Sequence, residues 1–165
     1  MRRNKQDKNF FKQDRARIIK DKRHDPYQPV KKYPEPTVCT MCGAFYKNGR
    51  WTWEEAPLES NEMECSACKR IADGYPAGII ELRGDYLLDH REDILNLVRN
   101  VGKTEKMQHP LERIMKIKNS KLETTVTTTG MHLARRIGDA LKDANKGELE
   151  YTYEGENYIR VYWSR

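Results

Sequence analysis

The sequence Cys39-Thr40-Met41-Cys42, followed after 22 residues by Cys65-Ser66-Ala67-Cys68, decides the fold of residues 37–76 and contains all four cysteines of the chain. Two residues between paired thiolates let both sulfurs reach one ion, and two such pairs complete a tetrahedron at about 2.3 Å around Zn²⁺. Gly43 suits the left-handed backbone that such a turn often needs. We therefore predict a zinc ribbon over residues 37–76.

The predicted ligands are Cys39, Cys42, Cys65 and Cys68. Iron on the same four sulfurs is the main rival ion. Disulfides are disfavoured in a reducing compartment, and a thioredoxin-like redox site would use one Cys-x-x-Cys pair. Because protein ligands fill all four positions, the Zn²⁺ is expected to be structural and not catalytic.

Between the two cysteine motifs, Asn48-Gly49 predicts a β-hairpin with a two-residue turn. Lys47 and Arg50 flank this turn. The neighbouring aromatic residues either stack on nucleic-acid bases or cover a ribbon that is too small to have its own core. They are Phe45, Tyr46, Trp51 and Trp53.

After residue 76 the pattern changes to alternating strands and helices. Residues 77–83 predict a strand, and Asp85 can cap a helix that follows it. Residues 111–118 and 122–129 predict a hairpin, which is followed by a second helix ending near Gly147. Residues 148–153 and 158–163 predict a closing hairpin. The order β-α-β-β-α-β-β predicts an α+β, ferredoxin-like domain over residues 77–165, with one added strand.

The net charge of +6 is confined to the first part of the chain. Residues 1–36 contain 12 Lys/Arg and 5 Asp/Glu, whereas residues 37–165 contain 19 and 20. A basic arm on a near-neutral body is typical of proteins that bind polyanions, because Lys and Arg release counterions from phosphates. The alternative is a solvated tail that binds nothing. Within the arm, residues 25–36 contain four prolines and predict a linker, so that the ordered body begins near Thr37.

The residues expected to contact RNA phosphates lie mainly in the arm, where a short basic amphipathic helix is predicted. They are Arg2, Arg3, Lys5, Lys8, Lys12, Arg15, Arg17, Lys20, Lys22, Arg23, Lys31 and Lys32, with Phe10 and Phe11 available to stack on bases. Lys47, Arg50, Arg135 and Arg136 are expected to add to this surface. His132, Arg135 and Arg136 either meet a phosphate at a helix N-terminus or form an ordinary solvated helix face.

Other classes of protein are disfavoured. The chain has no run of roughly 20 apolar residues and no apolar segment behind its basic start, so we expect a cytoplasmic protein without a membrane partner. No Gly-rich phosphate loop and no nucleophile motif is present, so neither an enzyme nor a small-molecule substrate is expected. A cleft that gathers His90 or His132 with a carboxylate would revive an enzyme.

Several segments together resemble a known family. The two cysteine motifs and the run from Tyr75 to Gly84 resemble the amino-terminal part of the nonsense-mediated-decay-protein-three family, whose members are adaptors for the large ribosomal subunit. The runs from His109 to Ile114 and from Thr127 to Gly138 are similar to a related group of bacterial zinc-ribbon proteins. The resemblance covers residues 37–165 and implies four zinc ligands and no catalytic residue. A chain of 165 residues is not expected to hold the further domains and the nuclear-export tail of the adaptors.

These observations predict a ribosome-associated, rRNA-binding factor that is not an enzyme. It would dock near the transfer-RNA sites of the large subunit and act in translation, in ribosome hibernation (dormancy) or in subunit quality control. The alternative is a protein–protein interaction module. In this module zinc stiffens the ribbon, and the basic tail only keeps the protein soluble.

Overall fold

A computed structural model describes residues 25–165. The predicted amphipathic helix and the basic residues from Arg2 to Arg23 lie outside the described residues. The described part contains a four-stranded sheet and a five-stranded sheet. No helix within residues 25–165 is both long and apolar enough to cross a bilayer.

The four-stranded sheet forms the ribbon. Its strands are β1 (Thr37–Cys39), β2 (Phe45–Lys47), β3 (Arg50–Thr52) and β4 (Asn61–Met63), and helix α1 (Ser66–Asp73) follows. β1 pairs antiparallel with β2 and parallel with β4. The hairpin predicted at Asn48-Gly49 is confirmed, and both turn residues have positive φ, 52° and 76°, as a two-residue turn of this kind requires.

The five-stranded sheet belongs to the α+β domain of residues 77–165. The elements are β5 (Gly78–Arg83), α2 (Asp85–Asp89), α3 (Arg91–Gln108), β6 (Ile114–Asn119), β7 (Glu123–Thr128), α4 (Met131–Asn145), β8 (Glu148–Tyr153) and β9 (Ile159–Ser164). The first predicted helix is therefore two helices, separated at His90. The strand order is β6-β7-β5-β9-β8, with β5 and β9 parallel and the other neighbours antiparallel.

The α+β class is confirmed, but the ferredoxin-like strand order is not. β5 and β6 run in the same direction with β7 between them, as in a split βαβ unit. β9, however, inserts beside β5 and leaves β8 at the edge of the sheet. Burial explains why β9, and not β8, lies beside β5. β9 buries Ile159, Val161 and Trp163, whereas β8 carries the exposed residues Glu148 and Glu150, which suit an edge strand.

The core of the α+β domain lies between the helices and one face of the sheet. It is built from Ile80, Leu82, Leu87, Ile94, Val98, Val126, Leu133, Ala134, Ile137, Leu141, Ile159, Val161 and Trp163. The ribbon has only a small cluster of its own, made of Cys39, Ala44, Cys65 and Ala67. A cluster of this size cannot offset the entropy of ordering the ribbon, so the ribbon needs a further source of stability.

Residues 25–36 do not form the predicted linker. The side chains of Asp25 and Arg70 form an ion pair in which they are 11% and 6% exposed. Tyr33 is buried against the ribbon, and the two carboxylate oxygens of Glu35 each accept a hydrogen bond of 2.9 Å from the Asn48-Gly49 turn. Asp25 to Gln28 form a turn in which the N–H of Gln28 donates to the carbonyl of Asp25 at 2.9 Å, and the side chain of Tyr27 donates to Asp73 of α1. The body therefore includes residues 25–36.

Candidate metal centre and the adjoining depression

The four cysteines lie close enough together to hold one metal ion. Their Sγ atoms all lie within 4.8 Å of one another. The Cys39–Cys68 and Cys42–Cys65 sulfur pairs are 3.8 Å and 3.9 Å apart. A tetrahedral ion with metal–sulfur bonds of about 2.3 Å requires edges of about 3.8 Å, so the sulfur positions fit such an ion.

Local backbone structure positions the sulfurs. Gly43 has a φ of +75°, as predicted, and its N–H donates to the carbonyl of Cys39 at 2.9 Å, which closes the first turn. Cys65 is the N-cap of α1, and its Sγ accepts from the N–H of Cys68 at 3.4 Å. The N–H of Cys65 in turn donates to Sγ of Cys39 at 3.3 Å. Backbone donors of this kind stabilise thiolates.

The burial of the sulfurs sets their acidity. Burial raises the pKa of the Cys65 and Cys68 thiols above its ordinary value. At Cys39, burial alone would raise the pKa, but backbone donors, with that of Cys65 foremost, lower it to about 7. Four neighbouring thiolates repel one another, so a cation among them is what allows all four to ionise.

Arg113 supplies a positive charge from outside the ribbon. Its guanidinium donates to Sγ of Cys42 at 3.0 Å and to Sγ of Cys68 at 3.3 Å, and its Nε donates to the carbonyl of Pro110 at 2.7 Å. Arg113 is only 8% exposed. A divalent ion with four thiolates has a net charge of −2, which this buried guanidinium partly neutralises.

Arg113 is not among the site residues that the sequence predicts. The sequence predicts a strand over residues 111–118, whereas β6 begins at Ile114 and Leu111 before it packs against the ribbon cluster. The one local signal is the position of Arg113 beside the apolar Ile114. A cation that is buried at such a position needs a partner. The partners lie 45 and 71 positions earlier in the chain, which local patterns do not reveal.

The aromatic residues of the ribbon mainly cover it. Phe45 and Tyr46 are buried, and Trp51 packs against Tyr33 and Tyr46 with ring centroids 5.1 Å and 5.3 Å away. The indole N–H of Trp53 donates to the carbonyl of Lys106 at 2.7 Å, near the end of α3. Trp53 therefore joins the ribbon to the α+β domain.

A depression of about 370 Å³ lies where the ribbon meets the α+β domain. Its lining residues are Arg50, Trp51, His109, Pro110, Leu111, Glu112 and His132. The rings of His109 and His132 are 6.0 Å apart. Nε2 of His132 lies 3.2 Å from a carboxylate oxygen of Glu105, which is buried behind it. A histidine and carboxylates thus do meet in a cleft.

The N-terminus of α4 already has an anionic partner. Glu112 accepts a hydrogen bond of 3.0 Å from the N–H of Leu133, and burial raises the pKa of its carboxyl group. Arg136 pairs with Glu105 at 3.1 Å, and the guanidinium of Arg135 lies over the ring of Tyr151. This arrangement favours an ordinary helix face over a phosphate site at this terminus.

The other predicted RNA-binding residues within the described part are exposed and lie in or beside the ribbon. They are Lys31, Lys32, Lys47 and Arg50. Lys47 and Arg50 are direct cross-strand partners in the β2–β3 hairpin. Arg50 also lines the depression, so the basic surface of the ribbon reaches that cleft.

Comparisons with known proteins do not add to this geometry. The chain matches no protein-family model, no curated protein and no solved structure. The metal centre and the depression must therefore be interpreted from their own residues.

Proposed function

We propose that the four cysteines bind one structural Zn²⁺. Four buried sulfurs at tetrahedral spacing suit zinc, and the ion would supply the stability that the small ribbon cluster lacks. Iron fits the same ligands, and metal analysis separates the two. We expect one zinc per chain and a colourless protein, whereas a visible absorption band and one iron per chain would contradict this assignment.

We further propose that the protein is a non-enzymatic, ribosome-associated factor that binds rRNA near the transfer-RNA sites of the large subunit. The observation that carries this proposal is the separation of charge. Residues 1–24 contain 10 Lys/Arg and 3 Asp/Glu, whereas residues 25–165 contain 21 and 22. The basic segment joins the body at Asp25, which is fixed to the ribbon through Arg70.

The ribbon would add oriented contacts to this electrostatic attraction. Lys47 and Arg50 lie on a hairpin whose turn is held by Glu35 and whose sheet adjoins the metal centre. Cations held on a rigid element lose less entropy when they bind phosphates than cations on a free tail. A body docked at transfer-RNA sites would exclude transfer RNA, which is the basis for a role in hibernation or quality control.

Sedimentation tests this function directly. Lysates of growing and starved cells are separated on sucrose gradients and probed for the protein. We expect it to sediment with the large subunit or the whole ribosome, with a larger bound fraction after starvation. Its confinement to the top of the gradient under both conditions would contradict the proposal.

A protein–protein interaction module is the second candidate, and the near-neutral charge of residues 25–165 favours it. Deletion of residues 1–24 separates the two functions. Residues 25–36 must be kept, because they pack on the ribbon. Lost co-sedimentation supports RNA binding, whereas unchanged capture of a protein partner supports the module.

The depression does not by itself indicate an enzyme. Within residues 25–165, no serine or cysteine side chain is hydrogen-bonded to His109 or His132, and the cysteines line the metal centre. Nucleophilic catalysis needs such a pair. This argues against catalysis by a serine or cysteine nucleophile, whereas His132 does meet carboxylates at the depression, and the non-enzymatic function stays our proposal.

A further inference from the structure

We propose that the depression between the ribbon and the α+β domain binds one unpaired nucleotide of single-stranded RNA, with a preference for guanine. This inference rests on the proposed RNA-binding function and specifies one site within it. The depression, about 370 Å³ in volume, falls within the range of about 300–1,000 Å³ that is usual for small-molecule sites.

The distribution of side chains matches the two ends of a nucleotide. Arg50, His109 and His132 are exposed and form the rim, whereas Trp51 and Leu111 are half-buried and form an apolar floor. Unpaired bases stack on aromatic and apolar side chains, and their phosphates are held by cationic and imidazole groups. The base would therefore lie on the floor and its phosphate would lie at the rim beside Arg50.

The carboxylate of Glu112 gives the floor a hydrogen-bond acceptor. One of its oxygens is fixed by the N–H of Leu133, and the carboxylate lies against Gly130, where a Cβ would collide with it. The carboxyl oxygens of Glu112 have further lone pairs and can accept from base edges. Guanine offers two neighbouring donors, N1–H and the N2 amino group, whereas uracil offers a single N–H. The acceptor therefore favours guanine over uracil.

The rim is held in place from behind. Glu105, which is 4% exposed, contacts Nε2 of His132 and Nε of Arg136. Its Oε2 atom has no hydrogen bond within the described residues, although it lies 3.2 Å from His132. This contact places a buried carboxylate behind the imidazole at the edge of the depression.

The test uses the full-length, zinc-loaded protein and two fluorescein-labelled oligonucleotides. One is a hexauridine, and the other carries a single central guanosine. Fluorescence anisotropy gives the two dissociation constants. We expect the guanosine oligonucleotide to bind at least about fivefold more tightly, since a good bidentate base contact is worth about 1–3 kcal/mol.

Matched variants locate the preference. Glu112→Gln should abolish it, because the amide keeps one oxygen for the N–H of Leu133 and turns an N–H donor towards the donors of guanine. Arg50→Ala removes the phosphate contact and should weaken the binding of both oligonucleotides by the same factor. Lys47 is the cross-strand neighbour of Arg50 and lies outside the depression. Lys47→Ala removes one positive charge and should lower the affinity for both oligonucleotides by the same factor. His90→Ala, at an exposed histidine remote from the lining residues, should leave both constants unchanged.

The outcomes distinguish this inference from the function on which it rests. Equal affinities of the wild-type protein for the two oligonucleotides would overturn the nucleotide site and leave RNA binding standing. A guanine preference that survives Glu112→Gln would also overturn it. The absence of binding to either oligonucleotide and to ribosomes in dilute salt would overturn the proposed function itself.

Discussion

Nη2 of Arg113 donates a 3.0 Å hydrogen bond to Sγ of Cys42, across 71 positions of the chain. Arg113 belongs to the α+β domain, whereas Cys42 belongs to the ribbon. The charge of the metal centre is therefore balanced by a residue of the other domain. Together with Trp53, which reaches α3, this contact couples the ribbon to the α+β domain.

Replacement of Arg113 should weaken the metal site. We expect Arg113→Met to lower zinc affinity about 10–100-fold, as the loss of a partner of a metal ligand typically does. Arg113→Lys should recover part of the affinity, because an ammonium keeps the charge but cannot span two sulfurs as the guanidinium does. Competition with a chromophoric chelator measures both. Arg99→Met, at an exposed arginine on α3, is the control, and equal affinities of the Arg113 and Arg99 variants would contradict this role.

Removal of the metal should unfold the ribbon and spare the α+β domain. The ribbon cluster is small, and structural zinc supplies about 10–16 kcal/mol of apparent free energy in such modules, whereas the α+β domain has its own core. After chelation, the amide NMR signals of β1–β4 should collapse to unfolded positions while those of β5–β9 remain dispersed. Unchanged signals of β1–β4 would contradict the unfolding of the ribbon. Collapse of all signals would contradict the independent stability of the α+β domain.

The ion pair between Asp25 and Arg70 should contribute to stability. Asp25→Ala leaves Arg70 buried without its partner, and we expect a loss of about 3 kcal/mol in the free energy of unfolding. The control is Glu123→Ala, which breaks the exposed pair with Arg83 and should cost less than about 1 kcal/mol. Urea unfolding of the zinc-loaded proteins measures both. Equal losses would show that residues 25–36 are the linker that their prolines suggest.

Glu112 should make stability depend on pH. Burial raises the pKa of this carboxyl group above 4.5 in the folded protein, so the folded state binds its proton more readily than the unfolded state does. This contribution to stability is present below the unfolded pKa and is lost as the pH rises through the folded pKa. Relative to Glu112→Gln, the wild-type protein should therefore lose stability from about pH 4.5 upwards.

The measurement for Glu112 is a pair of urea titrations across this pH range, with both proteins zinc-loaded. Protonation of the cysteines then affects both proteins alike and cancels in the difference. Any weakening of the hydrogen bond from the N–H of Leu133 in the variant shifts the difference by a constant amount. A difference that does not change with pH would contradict the raised pKa of Glu112.

Features that depend on neighbouring residues could be predicted from the sequence. The spacing of the cysteines predicted the four-sulfur cluster, and Asn48-Gly49 predicted the hairpin, because each requires only a local backbone shape. The closing hairpin was predicted within one residue at each end for the same reason. The RNA-binding residues between Arg2 and Arg23 remain a prediction.

Features that depend on distant residues could not be predicted. Nothing near Arg113 in the sequence indicates that its partners are cysteines, and nothing near Ile159 indicates that β9 lies beside β5. The prolines of residues 25–36 predict extended backbone, but the structure has a turn at Asp25–Gln28, and Tyr33 packs on the ribbon. The depression requires the ribbon hairpin to meet the start of α4, which only the assembled fold brings about.

The salt dependence of binding to purified large ribosomal subunits tests the central claim most directly. Affinities of the full-length chain and of residues 25–165 are measured between 50 and 200 mM salt. We expect a full-length slope of log K against log salt near −0.7 to −0.9 for each phosphate contacted, and a slope several units shallower without residues 1–24. A flat dependence for the full-length chain, or the same slope for both chains, would contradict it.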